Sequence, residues 1–260
     1  MPALDLLLQR ELATLSLEVT RISGALVVAP LSWAVAPLRA RGALVMLLAF
    51  VVHGQAFVST EMAERPELVA MAIPMEFLVG VALGFVVRLV VATAEIAADV
   101  IAPQMGLGAA HLFDPTTRAT QTPIGSLLRN FGIVLALLAG LHRVLVGGLL
   151  ASFRALPPGA AIDSTRVTSA LVEICNESLV AGVRIAMPVI AVLLLTQVAL
   201  AFVSRAAPAM QVFSIGFAVT LGVGALVLGL SLPDFARIVQ GEASHAEARI
   251  EAVLLAFGGP

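Results

Sequence analysis

Four ionisable side chains, Glu76, Arg88, Glu95 and Asp99, lie in one long apolar run that then opens into a small, polar stretch from Gln104 to Arg118. Carboxylates and a guanidinium at such depth could pass protons, pair with one another or dock a neighbouring subunit. A charge at the centre of a bilayer costs roughly 2.5–3.5 kcal/mol on insertion scales, so such groups face protein or water rather than lipid. On a continuous helix Arg88 and Glu95 fall two turns apart and Glu95 and Asp99 one turn apart, which places all three on one stripe. A docking role for that stripe against other subunits is favoured over proton conduction. Gly80 and Gly84 on the same helix form a small-xxx-small pair that permits close helix approach.

Enzymatic chemistry finds little support. All fifteen basic residues are Arg, and the absence of Lys excludes a Lys Schiff base and the phosphate loop that needs a lysine amine. There is no H-E-x-x-H and no G-x-S-x-G. His53, His111, His142 and His245 are scattered along the chain. Cys175 is the single cysteine and no Cys/His spacing suggests zinc. No catalytic residue, metal site or cofactor is expected. The net charge of −2 and the lack of a basic run argue against nucleic acid as a partner.

The elements that carry these residues belong in a membrane. Hydrophobic residues make up 60% of the 260-residue chain and charged residues 12%, with a mean hydropathy of +1.03; soluble domains carry about twice as much charge. The predicted fold is an all-α membrane protein of about six long apolar helices in hairpins, some kinked or broken, at 12–35, 42–57, 68–91, 124–150, 185–203 and 210–232. Glu11, Glu18 and Arg21 interrupt the first apolar stretch, which argues against a cleaved signal peptide. The second segment is short and reads as a half-buried or tilted hairpin arm. A helix starting near Thr165 and ending near Arg205 approaches ~60 Å, about twice the hydrocarbon thickness, and must bend, break or protrude, with Pro188 as the place for a kink. Ile250, Val253, Leu254 and Phe257 at helical spacing predict an amphipathic C-terminal helix lying against membrane or a partner.

Read in order, several stretches resemble the FliR/SctT family, the R-type or T-type membrane component of flagellar and type III secretion export gates. They are Glu76-Phe-Leu-Val-Gly-Val-Ala-Leu-Gly-Phe, Gln104-Met-Gly-Leu with Phe113-Asp-Pro, Leu141-His142, Ser152-Phe-Arg-Ala-Leu-Pro-Pro-Gly, and the stretch from Arg205 through Phe213 to Phe217. Arg21 and Pro30 add weaker support, and Ala218 departs from the family's common proline after Ile-Gly-Phe.

The resemblance implies a non-enzymatic subunit that joins P-type and Q-type subunits and a FlhB/SctU-type subunit in a bacterial inner-membrane gate for unfolded cargo proteins. It implies a P-type-like region over 1–163, a Q-type-like hairpin over 164–233 turning near Arg205, Pro208, Phe213 and Gly216, and a tail over 234–260. It also implies a channel plug at about 104–122. Physical chemistry agrees with a plug there: Gly106 and Gly108 free the backbone, Met105, Leu107, Leu112 and Phe113 can fill a narrow pore, and Asp114-Pro115 suits a turn. The other readings are a virulence-type injectisome gate component and a small transporter or channel working alone; against the latter, no internal repeat of the kind common in transporters is evident.

Overall fold

The computed structural model describes residues 2–30, 37–54, 58–107, 122–160, 164–206 and 212–258. The described residues form eight helices and no strand: α1 (Pro2–Val28), α2 (Leu38–Val52), α3 (Thr60–Glu64), α4 (Pro66–Gln104), α5 (Pro123–Leu138), α6 (Leu141–Ala155), α7 (Ser164–Ala206) and α8 (Val212–Ala256). Local chemistry marks several starts. The Ser59 hydroxyl accepts the Met62 N–H at the head of α3, and the Thr122 hydroxyl accepts the Gly125 N–H at the head of α5, where Pro123 takes the first helical position.

α4, α7 and α8 are each long and apolar enough to cross a membrane, and α5 with α6 would make a fourth span if counted together. α1 and α2 are not among them. α2 has only 15 residues, and α1 carries Arg10, Glu11, Glu18 and Arg21 along its length. The chain is thus an all-α membrane protein.

Two predicted segments take a different form. The run 124–150, expected as one span, is broken at Ala139 and Gly140, where Gly140 has φ of 86° and begins α6 in the left-handed region. Glycine alone adopts that geometry without a Cβ penalty, so the break is written into the residue type. The segment ending near 232 does not stop there, because α8 continues unbroken through Pro233 to Ala256. α7 runs 43 residues through Pro188, from near the expected start at Thr165 to near the expected end at Arg205. Each proline removes one backbone donor, and buried side chains hold the helix close by: Ile185 and Val189 on either side of Pro188, Phe235 and Val239 just after Pro233.

The described residues group into two compact units that interleave along the chain. The first comprises Met1–Leu89, Gly140–Cys175 and Ala243–Pro260; the second comprises Val90–Ala139 and Asn176–Glu242. In the first unit Leu17, Val58 and Ala72 form one apolar cluster with Met62 and Val69 against it. Ile250, Val253, Leu254 and Phe257, the face expected to lie on membrane or partner, are buried there, with Ile250 packed over Gly148. In the second unit the core is built from Ala94, Ala97, Ala98, Ile101 and Met105 of α4, Leu128 and Leu135 of α5, Ile185, Ala186, Val189 and Leu193 of α7, and Phe235 and Val239 of α8. Phe131 and Phe235 stack at a tilt with centroids 5.5 Å apart.

Candidate functional site

Arg21 on α1 is wholly buried. Its Nε donates to Glu76 Oε2 at 2.6 Å, and its Nη1 donates to the carbonyls of Ser152 and Leu156, each at 3.0 Å, and to the Ser152 hydroxyl at 3.3 Å. The Phe153 ring lies 4.4 Å from the guanidinium carbon, close enough for a cation–π contact. The second Glu76 oxygen accepts the Gly159 N–H at 2.8 Å. Leu156 caps the C-terminus of α6, where helix carbonyls lack intrahelical partners and the dipole end is negative, so a guanidinium is well placed there. One ion pair therefore ties α1, α4, α6 and the turn at Gly159 together inside the first unit.

Glycines permit this approach. A Cβ at Gly80 would overlap the Arg21 carbonyl, one at Gly84 the Ala25 carbonyl, and one at Gly24 the Phe77 carbonyl. The structure thus places Glu76, Gly80 and Gly84 against α1 within the chain.

A second ionic cluster stands nearby on α1. His53, which caps the C-terminus of α2, has Nε2 2.8 Å from Glu11 Oε2 and Nδ1 3.0 Å from Glu18 Oε2. Local spacing gave no sign of it, because both carboxylates precede the histidine by 35 residues or more.

In the second unit the Arg129 Nε stands 3.1 Å from Glu95, a pair joining α5 to α4. Asp99 is exposed one turn on, and Arg88 is half-buried in the first unit. Close packing recurs here: a Cβ at Gly132 would strike Ala94 and one at Gly182 would strike Ile96. Among the described residues no group of three or more His, Cys, Asp or Glu side chains could hold a metal ion.

Where α4 ends, Met105 is fully buried in the core of the second unit and lies against Gly224 of α8. The Gln197 amide reaches the Gln104 carbonyl and side-chain oxygen, both at 3.4 Å. Gly106 then turns with φ of 81°, its N–H donating to the Pro103 carbonyl at 3.0 Å. Leu107 packs partly buried on the same core. Gly108, Leu112, Phe113, Asp114 and Pro115 lie outside the described residues, as does Pro208. Arg205 is exposed in the last turn of α7, Phe213 lies in the first turn of α8, and Gly216 is half-buried on α8.

Gly106→Ala is expected to cost about 1–2 kcal/mol, the steric penalty of a Cβ in the left-handed region. Its Cβ would also stand 3.0 Å from the Phe217 ring. Gly106→Asn, which tolerates that backbone better, should shift thermal unfolding in detergent less than the alanine does, if Phe217 yields equally to both.

Residues 12–246 match the family described as bacterial export proteins, family 1, which is nearly the whole chain. The chain belongs to this export family. Among curated relatives, the flagellar biosynthetic protein FliR of Pectobacterium carotovorum subsp. carotovorum is 34% identical over 158 residues, 61% of this chain and 60% of its own. The FliR of Aquifex aeolicus is 33% identical over 61% of each chain, and that of Escherichia coli K12 is 30% identical over 61% of this chain and 60% of its own. The alignments thus span about 60% of the length of these relatives. Arg21, Glu76, the end of α4 and the break at Gly140 all fall inside the stretch that matches the export family.

Proposed function

We propose that this chain is a non-enzymatic subunit of the flagellar type III protein export gate. In this reading it sits in the bacterial inner membrane with P-type, Q-type and FlhB-type subunits, and unfolded proteins pass through the channel they form. The match of residues 12–246 to the export family carries the proposal, and the flagellar names of the relatives favour a flagellar over a virulence-type system. Exposed apolar surface supports a chain made to be covered. In the most apolar window of α4, 67% of residues are buried, against 22% in α7 and 17% in α8. Phe202, Leu195, Leu226 and Leu230 are among the side chains left outward, and partner subunits or lipid must cover them.

The segment 104–122 acts as the plug in this proposal. Met105 and Leu107 anchor its root in the core of the second unit. Of Glu76, Arg88, Glu95 and Asp99 on α4, Glu76 and Glu95 pair within the chain, and the exposed Asp99 is the one placed to meet a neighbouring subunit; none of them carries the export energy. Deleting residues 106–115 should raise ion conductance of the membrane while the chain still co-purifies with its partner subunits. An unchanged conductance with assembly intact would remove the sealing role.

A further inference from the structure

The histidine cluster on α1 carries an inference about proton binding that export-family membership does not supply. His53 is flanked on both ring nitrogens by carboxylate oxygens, Glu11 Oε2 at 2.8 Å and Glu18 Oε2 at 3.0 Å. Each of these contacts is a hydrogen bond only if a proton lies between the two heavy atoms. A neutral imidazole carries a single N–H, and two ionised carboxylates carry none. With one proton, therefore, one of the two contacts sets a nitrogen lone pair against a carboxylate lone pair. The observed geometry requires a second proton, on the ring or on a carboxyl group.

The surroundings suit a site that exchanges this proton. The Glu18 carboxylate is fully buried, and its Oε1 has no hydrogen-bond partner. The His53 and Glu11 side chains are 30% and 46% exposed, so water reaches the outer end of the cluster and not the inner one. Arg21, one turn beyond Glu18 on α1, acts on Glu18 electrostatically but is committed to Glu76. Arg10 donates to the Val58 carbonyl, and on α3 Arg65 faces Glu61 at 3.8 Å in an exposed pair. Arg39 and Arg41 stand at the opposite end of α2 from His53, about 21 and about 18 Å away along the helix.

We infer that Glu11, His53 and Glu18 form a one-proton binding site that fastens the C-terminal end of α2 to α1 when loaded. On loading, a proton from water adds to the ring nitrogen left without one, giving an imidazolium that donates to both carboxylates. On unloading that N–H bond breaks, the proton returns to water, and one of the two ties between α1 and α2 is lost. The cluster changes from net charge −1 to −2 in doing so. Hydrogen bonding to Glu18 raises the histidine above its ordinary value, with burial opposing and the charge of Glu18 assisting. His53 sits at the cap of α2, outside the helices long and apolar enough to span. A group raised in the folded state stabilises that state fully below its ordinary value of about 6.5, and that contribution is lost as pH rises through the folded value.

The test is solid-state NMR of the full-length chain in lipid with its co-purifying subunits, using nitrogen-labelled histidine and a titration upward from about pH 5. Loss of one signal in His53→Gln assigns the resonance. Both ring nitrogens of His53 should remain protonated above a pH of about 6.5, the ordinary midpoint of a histidine side chain. Glu18→Gln supplies its own N–H toward the ring, so it should weaken proton binding about tenfold, a shift of about one pH unit downward. Glu11→Gln, at a partly exposed position, serves as the second variant and should shift His53 in the same direction. Titration of His53 at or below the ordinary histidine midpoint of about 6.5, or a midpoint unmoved in both variants, would overturn the inference. The readout is a ring protonation state, so it stands or falls separately from any measurement of export.

Discussion

Glu76→Ala is expected to destabilise the fold by about 3–5 kcal/mol, because it leaves the Arg21 guanidinium buried without its counter-charge. Arg21 is wholly buried and Glu76 nearly so, so water cannot replace the lost carboxylate without opening the helix packing. The Gly159 N–H loses its acceptor in the same step. The carbonyls of Ser152 and Leu156 and the Phe153 ring still face Arg21, but they are dipoles and a quadrupole, and they offset only part of a full charge. Arg21 Nη2 already has no partner, which leaves no reserve of hydrogen bonds to draw on. Glu76→Gln keeps the shape and loses the charge, so its cost should be smaller, about 1.5–3 kcal/mol for a charged hydrogen bond. Combining Glu76→Leu with Arg21→Met removes both charges and should recover much of the loss. Thermal unfolding in detergent and steady-state abundance in cells would both register the series. A Glu76→Ala chain that unfolds like the parent would mean that the pair is solvated.

The sequence made part of this arrangement legible. The apolar run with Gly80 and Gly84 pointed to a long helix at close quarters with another, and α4 is that helix. Glu76 is a lone charge deep in an apolar stretch and Arg21 one of three charges that interrupt another, and charges so placed ask for opposite ones. That signal was present, but it does not say which two charges meet. They lie 55 residues apart, and no helical or strand period connects positions on different elements. The His53 cluster was hidden for the same reason, since its carboxylates sit on α1. The break at Gly140 was missed because hydropathy averages over the one residue whose backbone left the right-handed helix. The tail over 234–260 stands apart in the sequence, whereas Phe235 and Val239, buried in the core of the second unit, sit on a helix that runs on into it.

Gly80→Val should be nearly as damaging as loss of the ion pair, and for a connected reason. The atoms in the way are backbone: the Arg21 carbonyl overlaps the new Cβ, and the Ala25 nitrogen and Arg21 carbonyl carbon would stand 2.9 Å from it. A side chain can change rotamer to make room, but a helix backbone can only move as a whole. α1 must therefore retreat from α4, and Arg21 retreats with it. The cost then exceeds the about 1–3 kcal/mol of ordinary overpacking, because the guanidinium is drawn away from Glu76. Gly84→Val meets the Ala25 backbone in the same way and should act in the same direction. Gly147, with nothing within 4 Å of its Cβ position on α6, is the control: Gly147→Ala should be neutral or stabilise by up to about 1 kcal/mol through helix propensity. The decisive measurement is a cycle in thermal unfolding, combining Gly80→Val with Glu76→Ala. Both changes break the Arg21–Glu76 contact, so the double variant should lose clearly less than the sum of the two single losses. Additive losses would show that the glycine contact and the ion pair hold α1 to α4 independently.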